Sequence, residues 1–425
     1  MSSAASELFV NSARRRLPTG HHGCVTTSSV RLRPKNVWEV FRVFLRLGVT
    51  SFGGPVAHLG YFHEEFVERR RWLNDREYAD LVALCQFLPG PASSQVGMAI
   101  GLQRAGLWGL LAAWSAFTLP SAIVLVGFAF GVASFGDLSD AGWISGLKAA
   151  AVAVVAHAVF GMARTLTPDA KRATIALLSL IAVLLIPHVA VQVIAIVAAG
   201  LIGLVWLRTE APDASEPMKH FSVPRPVAIG SLAIFGALLI TLPLVVAATG
   251  NSVAQLFDSF YRAGALVFGG GHVVLPLLEA EVVGTGMVSA DAFLAGYGAA
   301  QAVPGPLFTF AAYLGAMNEL GPTGLVGAAI ALIAVFLPAA LLVIGVLPFW
   351  ERVRHFSHAR RVLMGVNAGV VGILAAALYA PVFTLGITSP LTLAIAAAAF
   401  VALRMWKAPA WAVVIAAAVL GWLLL

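Results

Sequence analysis

Residues 44–54 read FLRLGVTSFGG and residues 260–270 read FYRAGALVFGG, identical at six of eleven positions. A second matched element follows each copy, QFLPGP at 86–91 and QAVPGP at 301–306, identical at four of six. Farther on, Leu119-Pro120 is answered by Leu337-Pro338. Three matches in one order, at a nearly constant offset, mark an internal duplication, which is the common build of secondary transporters.

The matched elements sit inside long apolar runs. Of the 425 residues 60% are hydrophobic and 11% are charged, against about 45–50% and about 25% in soluble domains, and the mean hydropathy is +0.89. The expected class is an all-α polytopic membrane protein. Its 41 glycines and 22 prolines suit that class, because transmembrane helices tolerate both better than soluble helices do. The net charge of +7 comes from short basic clusters between apolar runs, a pattern that orients a chain in a bilayer rather than one that binds nucleic acid. Cys24 and Cys85 make neither a disulfide framework nor a metal-site spacing, and no cofactor is implied. With no GxSxG, HExxH or Walker A sequence, hydrolase, protease and ATPase chemistry has no residues to rest on, and no enzyme activity is expected.

Residues 1–36, polar and Arg-rich, are read as a disordered cytoplasmic tail. Thirteen apolar segments follow, at roughly 37–62, 77–103, 105–133, 142–163, 171–187, 188–207, 226–249, 256–278, 291–317, 322–349, 362–384, 388–404 and 408–425, a full crossing taking about 20 residues. A polar linker at 208–225 separates a first repeat (37–207) from a connecting helix (226–250) and a second repeat (251–425). Basic clusters at Arg69 to Arg76, Arg104, Arg164 to Arg172, Arg208 to Arg225, Arg352 to Arg361 and Arg404/Lys407 alternate with loops that lack Lys and Arg. Thirteen full crossings from an inside N-terminus leave the cluster at Arg69 to Arg76 on the wrong side. If the four segments carrying FGG and PGP each enter and return on one side, every cluster is cytoplasmic. Either way the two repeats are inverted, with broken or re-entrant helices at the FGG and PGP motifs.

Pro89-Gly90-Pro91 and Pro304-Gly305-Pro306 must end one helix and can start another, since proline removes a donor yet is favoured at the first helical position. A helix restarted there aims free N–H groups and a positive dipole end at the membrane interior, where they suit an anion. Ser93 and Ser94 in the first copy and Thr309 in the second add hydroxyls, and Gln86 and Gln301 stand at equivalent positions before the loops. The plainer alternative is a proline kink. Phe52-Gly53-Gly54-Pro55 and Phe268-Gly269-Gly270-Gly271 permit backbone conformations closed to other residues and let a ligand approach the main chain, with close helix packing as the alternative. Arg46 and Arg262 occupy equivalent positions in apolar surroundings, where a charge is costly and an ionisable residue is a functional candidate. The planar guanidinium suits an oxyanion; the alternative is pairing with Glu65 or Glu281, themselves equivalent under the duplication. Two converging arginines and two helix N-termini compensate a dianion and leave a cation badly served. His58, His63, His157, His188 and His272 have no histidine counterparts in the other repeat, and Lys148 lies within an apolar helix. The GxxxG pairs Gly97/Gly101, Gly127/Gly131 and Gly365/Gly369 are assigned to packing, and exposed faces of this kind allow a homodimer.

The pattern FxRxGxxxFGG with QFLPGP, repeated with QAVPGP, resembles the chromate ion transporter family in its long two-domain form, over about 37–425. The resemblance implies a multi-pass protein of the bacterial inner (plasma) membrane that exports chromate and confers chromate resistance. It points to Arg46, Phe52, Gly53, Gly54, Pro55, Gln86, Pro89, Gly90 and Pro91 in the first half, and to Arg262, Phe268, Gly269, Gly270, Gln301, Pro304, Gly305 and Pro306 in the second. Gly271, standing where the first copy has Pro55, marks an asymmetry. The expectation is a secondary transporter moving a tetrahedral dianion by alternating access. A carrier of sulfate or another oxyanion, and an anion channel of the same fold, are the alternatives.

Overall fold

A computed structural model describes residues 34–134, 141–186, 188, 190–208, 223–350 and 356–425. The tail read over 1–36 and the linker read over 208–225 fall almost wholly outside the described residues. Among the described residues all regular structure is helical.

The first half opens with α1 (Pro34–Thr50) and α2 (Gly54–His63), so the apolar segment 37–62 is broken at its FGG motif. Gly53 takes a left-handed conformation ahead of α2, and Pro55 starts the helix. A π-helical turn, Glu64–Arg69, continues α2. α3 (Asp75–Phe87) begins with a capping box between Asn74 and Glu77 and ends at the PGP loop, beyond which lies α4 (Ala92–Ser134). Drawn straight, those 43 residues would run about 65 Å. Non-helical angles at Ala105 and Gly106 instead fold α4 into two limbs, at the boundary expected from the sequence. The limbs touch backbone to backbone: a Cβ on Gly101 would lie 2.3 Å from the Gly109 carbonyl oxygen.

Next come α5 (Gly142–Leu166), α6 (Ala170–Leu185), α7 (Ala190–Trp206) and α8 (Arg225–Thr249). Asp169 caps α6 and accepts from the Arg172 backbone N–H; that bond and the Arg172 guanidinium hold its carboxyl below the usual range. The second half then repeats the plan with α9 (Ser252–Leu266), α10 (Val274–Leu278), α11 (Ala290–Ala302), α12 (Phe310–Ala316) and α13 (Gly324–Val346). Its breaks fall at the second FGG and second PGP, and Gly315 meets Gly327 as Gly101 meets Gly109. α14 (Ser357–Ala377), extended by turns to Gly386, α15 (Pro390–Arg404) and α16 (Ala410–Leu424) complete the chain.

Each broken segment turns back on itself. Glu39, near the start of α1, accepts from Arg70 (3.1 Å) and from Arg104 (3.3 Å), so the feet of both hairpins in the first half gather at one end. In the second half the Glu319 N–H donates to the Met287 carbonyl (2.8 Å), and Ser252 lies against Gly321. Between these two sets of feet the long limb of α4 and α13 run antiparallel, with Trp114 on Phe336 and Phe130 beside Gly324.

The outer helices are exchanged between halves. α5 packs on α15 and α16, whereas α14 packs on α6 and α7. Small residues allow this: Gly142 and Gly146 meet Gly421 and Ala417, and Gly365 meets Gly203. Gly97/Gly101 and Gly365/Gly369 therefore pack as expected. Gly127 and Gly131 do not, since a Cβ on either would meet nothing within 4 Å; they lie on the outer face of α4 with the exposed Ile123, Val124 and Phe130. Among the described residues five helices, over 92–134, 142–166, 225–249, 324–349 and 357–386, are long and apolar enough to cross a membrane. Large apolar side chains exposed along them and their neighbours, among them Val205, Ile240 and Trp422, belong in lipid and not in water.

Candidate anion site between the hairpin tips

The halves meet through their loops. The Gly90 N–H donates to the Val267 carbonyl (2.7 Å), and the Gly305 N–H donates to the Ser51 carbonyl (2.9 Å). Ser51 and Val267 each precede an FGG, so the PGP loop of each half is bonded to the FGG loop of the other. These loops demand glycine: Gly53, Gly54, Gly90, Gly269, Gly270 and Gly305 all have φ between 75° and 132°, a region closed to most side chains. Gly305 lies so near the long limb of α4 that a Cβ would stand 2.6 Å from Ser121 Oγ. A Cβ on Gly271 would stand 2.9 Å from Pro55 Cγ. The departure of the second motif from the first thus has a steric cause, because the two positions abut and a proline on both sides would collide.

Around the first PGP loop the lining is polar. His58 is fully buried, with Nε2 3.2 Å from the Ser51 carbonyl and Nδ1 3.4 Å from Ser93 Oγ. A carbonyl only accepts, so Nε2 carries the proton of that bond. Gln95 donates from Nε2 to the Pro89 carbonyl (2.8 Å), bracing the loop from the helix that follows it. Among the described residues the Ser51, Ser94 and Thr118 hydroxyls, Gln95 Oε1 and Gln301 Nε2 are buried without a hydrogen-bond partner. Buried polar groups are ordinarily satisfied. Such groups beside two helix starts are what a site for a polar ligand looks like from its walls. The second PGP loop differs: Thr309 donates its hydroxyl to the Pro306 carbonyl (2.7 Å), and its neighbours are Phe308 and Phe310.

The other residues singled out from the sequence are placed less centrally. Phe52 packs on Trp411 of α16. Gln86 is exposed on α3, whereas Gln301 is half-buried. Gly269 lies beside Met162, Leu166 and Asn367, and Phe268 packs on the core. Neither arginine is free. Arg46 pairs with the buried Glu65, which also takes Arg70 (2.6 Å) and Arg69 (3.2 Å). Arg262 pairs with Glu281 (2.8 Å) and Asp258 (3.0 Å). Each pair joins the two legs of its own hairpin, and among the described residues no contact joins the two arginines. Lys148 pairs with Asp291 (2.5 Å), tying α5 of the first half to α11 of the second.

Sequence reasoning did not assign Ser51, Gln95, Thr118 and Ser121 to this region. The available signal was position: Gln95 stands one turn beyond Pro91, and Thr118 and Ser121 flank the Leu119-Pro120 that recurs in the second half.

The family model for the chromate transporter matches residues 38–204 and again 254–422, so the repeat seen in the sequence is two copies of one family unit. The chain is 28% identical over 416 residues to the chromate transport protein of Pseudomonas aeruginosa, covering 92% of this chain and 93% of that protein. It is 28% identical over 347 residues to the chromate transport protein of Cupriavidus metallidurans, covering 80% and 81%. An uncharacterized transporter of Methanocaldococcus jannaschii is 26% identical over 343 residues, covering 80% and 82%. No solved structure matches the chain. With both of its halves matched by the family unit, this chain belongs to the chromate transporter family.

Proposed function

We propose that this protein is a secondary transporter that carries chromate out of the cell, by alternating access between two inverted repeats whose loops form one dianion site. The observation that carries the reading is the reciprocal bonding of each PGP loop to the opposite FGG loop, Gly90 to Val267 and Gly305 to Ser51. A site built this way belongs to both repeats, so relative movement of the repeats changes which side it faces. The helices restarting after Pro91 and Pro306 bring N–H groups to the loops, Ser93 and Ser94 add hydroxyls, and Arg46 and Arg262, each held by carboxylates of its own hairpin, are the guanidiniums that turn to the dianion when it binds. The related proteins named for chromate transport favour chromate over other tetrahedral dianions.

Inversion has independent support. The long limb of α4 and α13 run antiparallel, with the hairpin feet of the two halves at opposite ends. Among the described residues one complete helix, α8, lies between the family units. One added crossing turns the second unit over relative to the first. With the basic clusters inside, the membrane potential assists exit of a dianion by about 4.6 kcal/mol per 100 mV, twice the value for one charge. Export therefore needs no ATP.

The test is chromate uptake by everted membrane vesicles with sulfate as competitor. Saturable uptake, inhibited by sulfate and lost in Arg46→Gln and in Arg262→Gln, is the expected result. Flux that does not saturate would replace the carrier with a channel, and absence of chromate flux with intact sulfate flux would replace the substrate. Cysteines introduced singly at Arg69 and Asp291 test the hairpins: position 69 should label from the cytoplasm only and position 291 from outside only.

A further inference from the structure

Arg262 sits among more negative charge than it can balance. On α9 it takes Asp258, one turn away, at 3.0 Å, and on the π-helical turn Glu279–Val283 it takes Glu281 at 2.8 Å. The Asp258 and Glu281 side chains are 4% and 9% exposed. Among the described residues Asp258 Oδ1 and Arg262 Nε have no hydrogen-bond partner, and neither does Oε1 of Gln192, a buried residue of α7. Gln192, Arg262 and Glu281 line one cavity of about 10 Å³. That volume is about one water molecule and far below a tetrahedral dianion.

Among the described residues no other charge pairs with Asp258 or Glu281. Among the described residues facing this group, α13, α10 and α7 carry no charged residue, α8 carries only Arg225 at its first position, α11 carries only Asp291, which pairs with Lys148, and Glu279 adds a further carboxylate on the same turn. Tyr261 is engaged with the Phe235 carbonyl. Two buried carboxylates sharing one part-exposed guanidinium leave one net negative charge, which burial of the carboxylates penalises. The first half lacks this arrangement. Arg42 stands where Asp258 does, and Glu65 is surrounded by Arg46, Arg69 and Arg70.

We propose that Asp258 and Glu281 form a proton site, holding one proton between them and, when that proton is bound, loosening their hold on Arg262 so that it can serve the dianion. The single-water cavity beside Gln192 is the proton's route to the pair. The inference rests on the dianion reading above and deepens it: proton and dianion favour each other's binding through a shared arginine, and by linkage the effect is reciprocal. Transport is then proton-linked in the second repeat alone, and a proton leaving with each dianion halves the net charge that the membrane potential drives outward.

The experiment uses the full-length purified protein in weakly buffered detergent solution, with sulfate as probe, radiolabelled for binding and read by a pH-indicator dye for protons. The wild type should take up about one proton per sulfate bound at mildly alkaline pH, and less as the solution is acidified and the site fills beforehand. Asp258→Asn should bind sulfate with proton uptake reduced at least about five-fold, and Glu281→Gln should do the same. Because Glu281 also braces its hairpin, the wild-type proton count stands as the primary readout and needs no variant. Sulfate binding without proton uptake at any pH overturns the proton site and leaves the dianion reading intact. Absence of sulfate and chromate binding overturns both.

Discussion

The tips of the two halves share a backbone and differ in almost everything around it. All six glycines of the paired motifs take positive φ, and the two cross-half hydrogen bonds are equivalent. Side chains around them diverge. Ser51, His58, Ser93, Gln95, Thr118 and Ser121 of the first half correspond under the duplication to Val267, Val274, Phe308, Phe310, Phe336 and Ala339 of the second. Charge diverges as well: three arginines surround one glutamate in the first hairpin, and two carboxylates surround one arginine in the second. Turn chemistry was kept because any Cβ at these glycines meets a forbidden backbone angle. The surrounding polarity was free to specialise, and the polar side chains concentrate around the first PGP loop.

The largest expected effect concerns the arginines. Arg46→Gln and Arg262→Gln should each lower transport by at least about 100-fold, losing transition-state and ground-state binding together. Arg46→Lys, which keeps the charge and loses only the fork, should recover more than Arg262→Lys, because Arg46 is the more exposed of the two (46% against 30%) and has room to adjust. Flux in everted vesicles, normalised to protein in the membrane, reads both.

Next in size is a steric contrast between the PGP glycines. A Cβ at position 305 meets Ser121 Oγ at 2.6 Å and the Phe117 carbonyl at 3.3 Å, while at position 90 the nearest atoms are the ends of Gln95 and Ala339 at 3.0 and 3.3 Å. Both substitutions also carry backbone strain of about 1–3 kcal/mol. Gly305→Ala should therefore lower the melting temperature and transport more than Gly90→Ala does. Equal losses would mean that strain alone decides and that contact with α4 is unimportant.

The abutting pair gives a compensation test of intermediate size. Gly271→Pro should lower transport several-fold by collision with Pro55, and adding Pro55→Gly should restore most of it, a coupling between neighbours that a double-mutant cycle measures. Additive losses would contradict the contact. The smallest expected effect is on substrate affinity. Ser93→Ala should raise KM a few-fold, about the worth of one hydrogen bond, with Vmax nearly unchanged, whereas Phe308→Ala on the opposite side should act on stability and leave KM alone.

Much of the fold was legible in the sequence because breaks are written locally. PGP and FGG cannot run through a helix, and the four segments containing them are broken at those residues. The α4 boundary was legible for a similar reason, a glycine in a short polar interval. The exchange between halves was not legible. That Gly90 pairs with Val267, or that α14 rests on α6 and α7, is a long-range arrangement with no local signature; small residues at helical spacing announce close packing without naming the partner. Gly127 and Gly131 illustrate the limit, having the same spacing as Gly365 and Gly369 and, among the described residues, nothing within 4 Å of an added Cβ. The arginines were legible as unusual, and the pairing with Glu65 and Glu281 was legible as an alternative, since the carboxylates recur at the same 19-residue separation. Asp258 escaped notice because its counterpart is Arg42, and a search for what the repeats share passes over what they do not.

One shared site is the central claim, and equilibrium dialysis of radiolabelled sulfate against the purified wild-type protein tests it most directly. The account predicts one dianion bound per chain, with affinity lost on changing either Arg46 or Arg262 to Gln. Two dianions per chain, or affinity that survives change in one half, would contradict it.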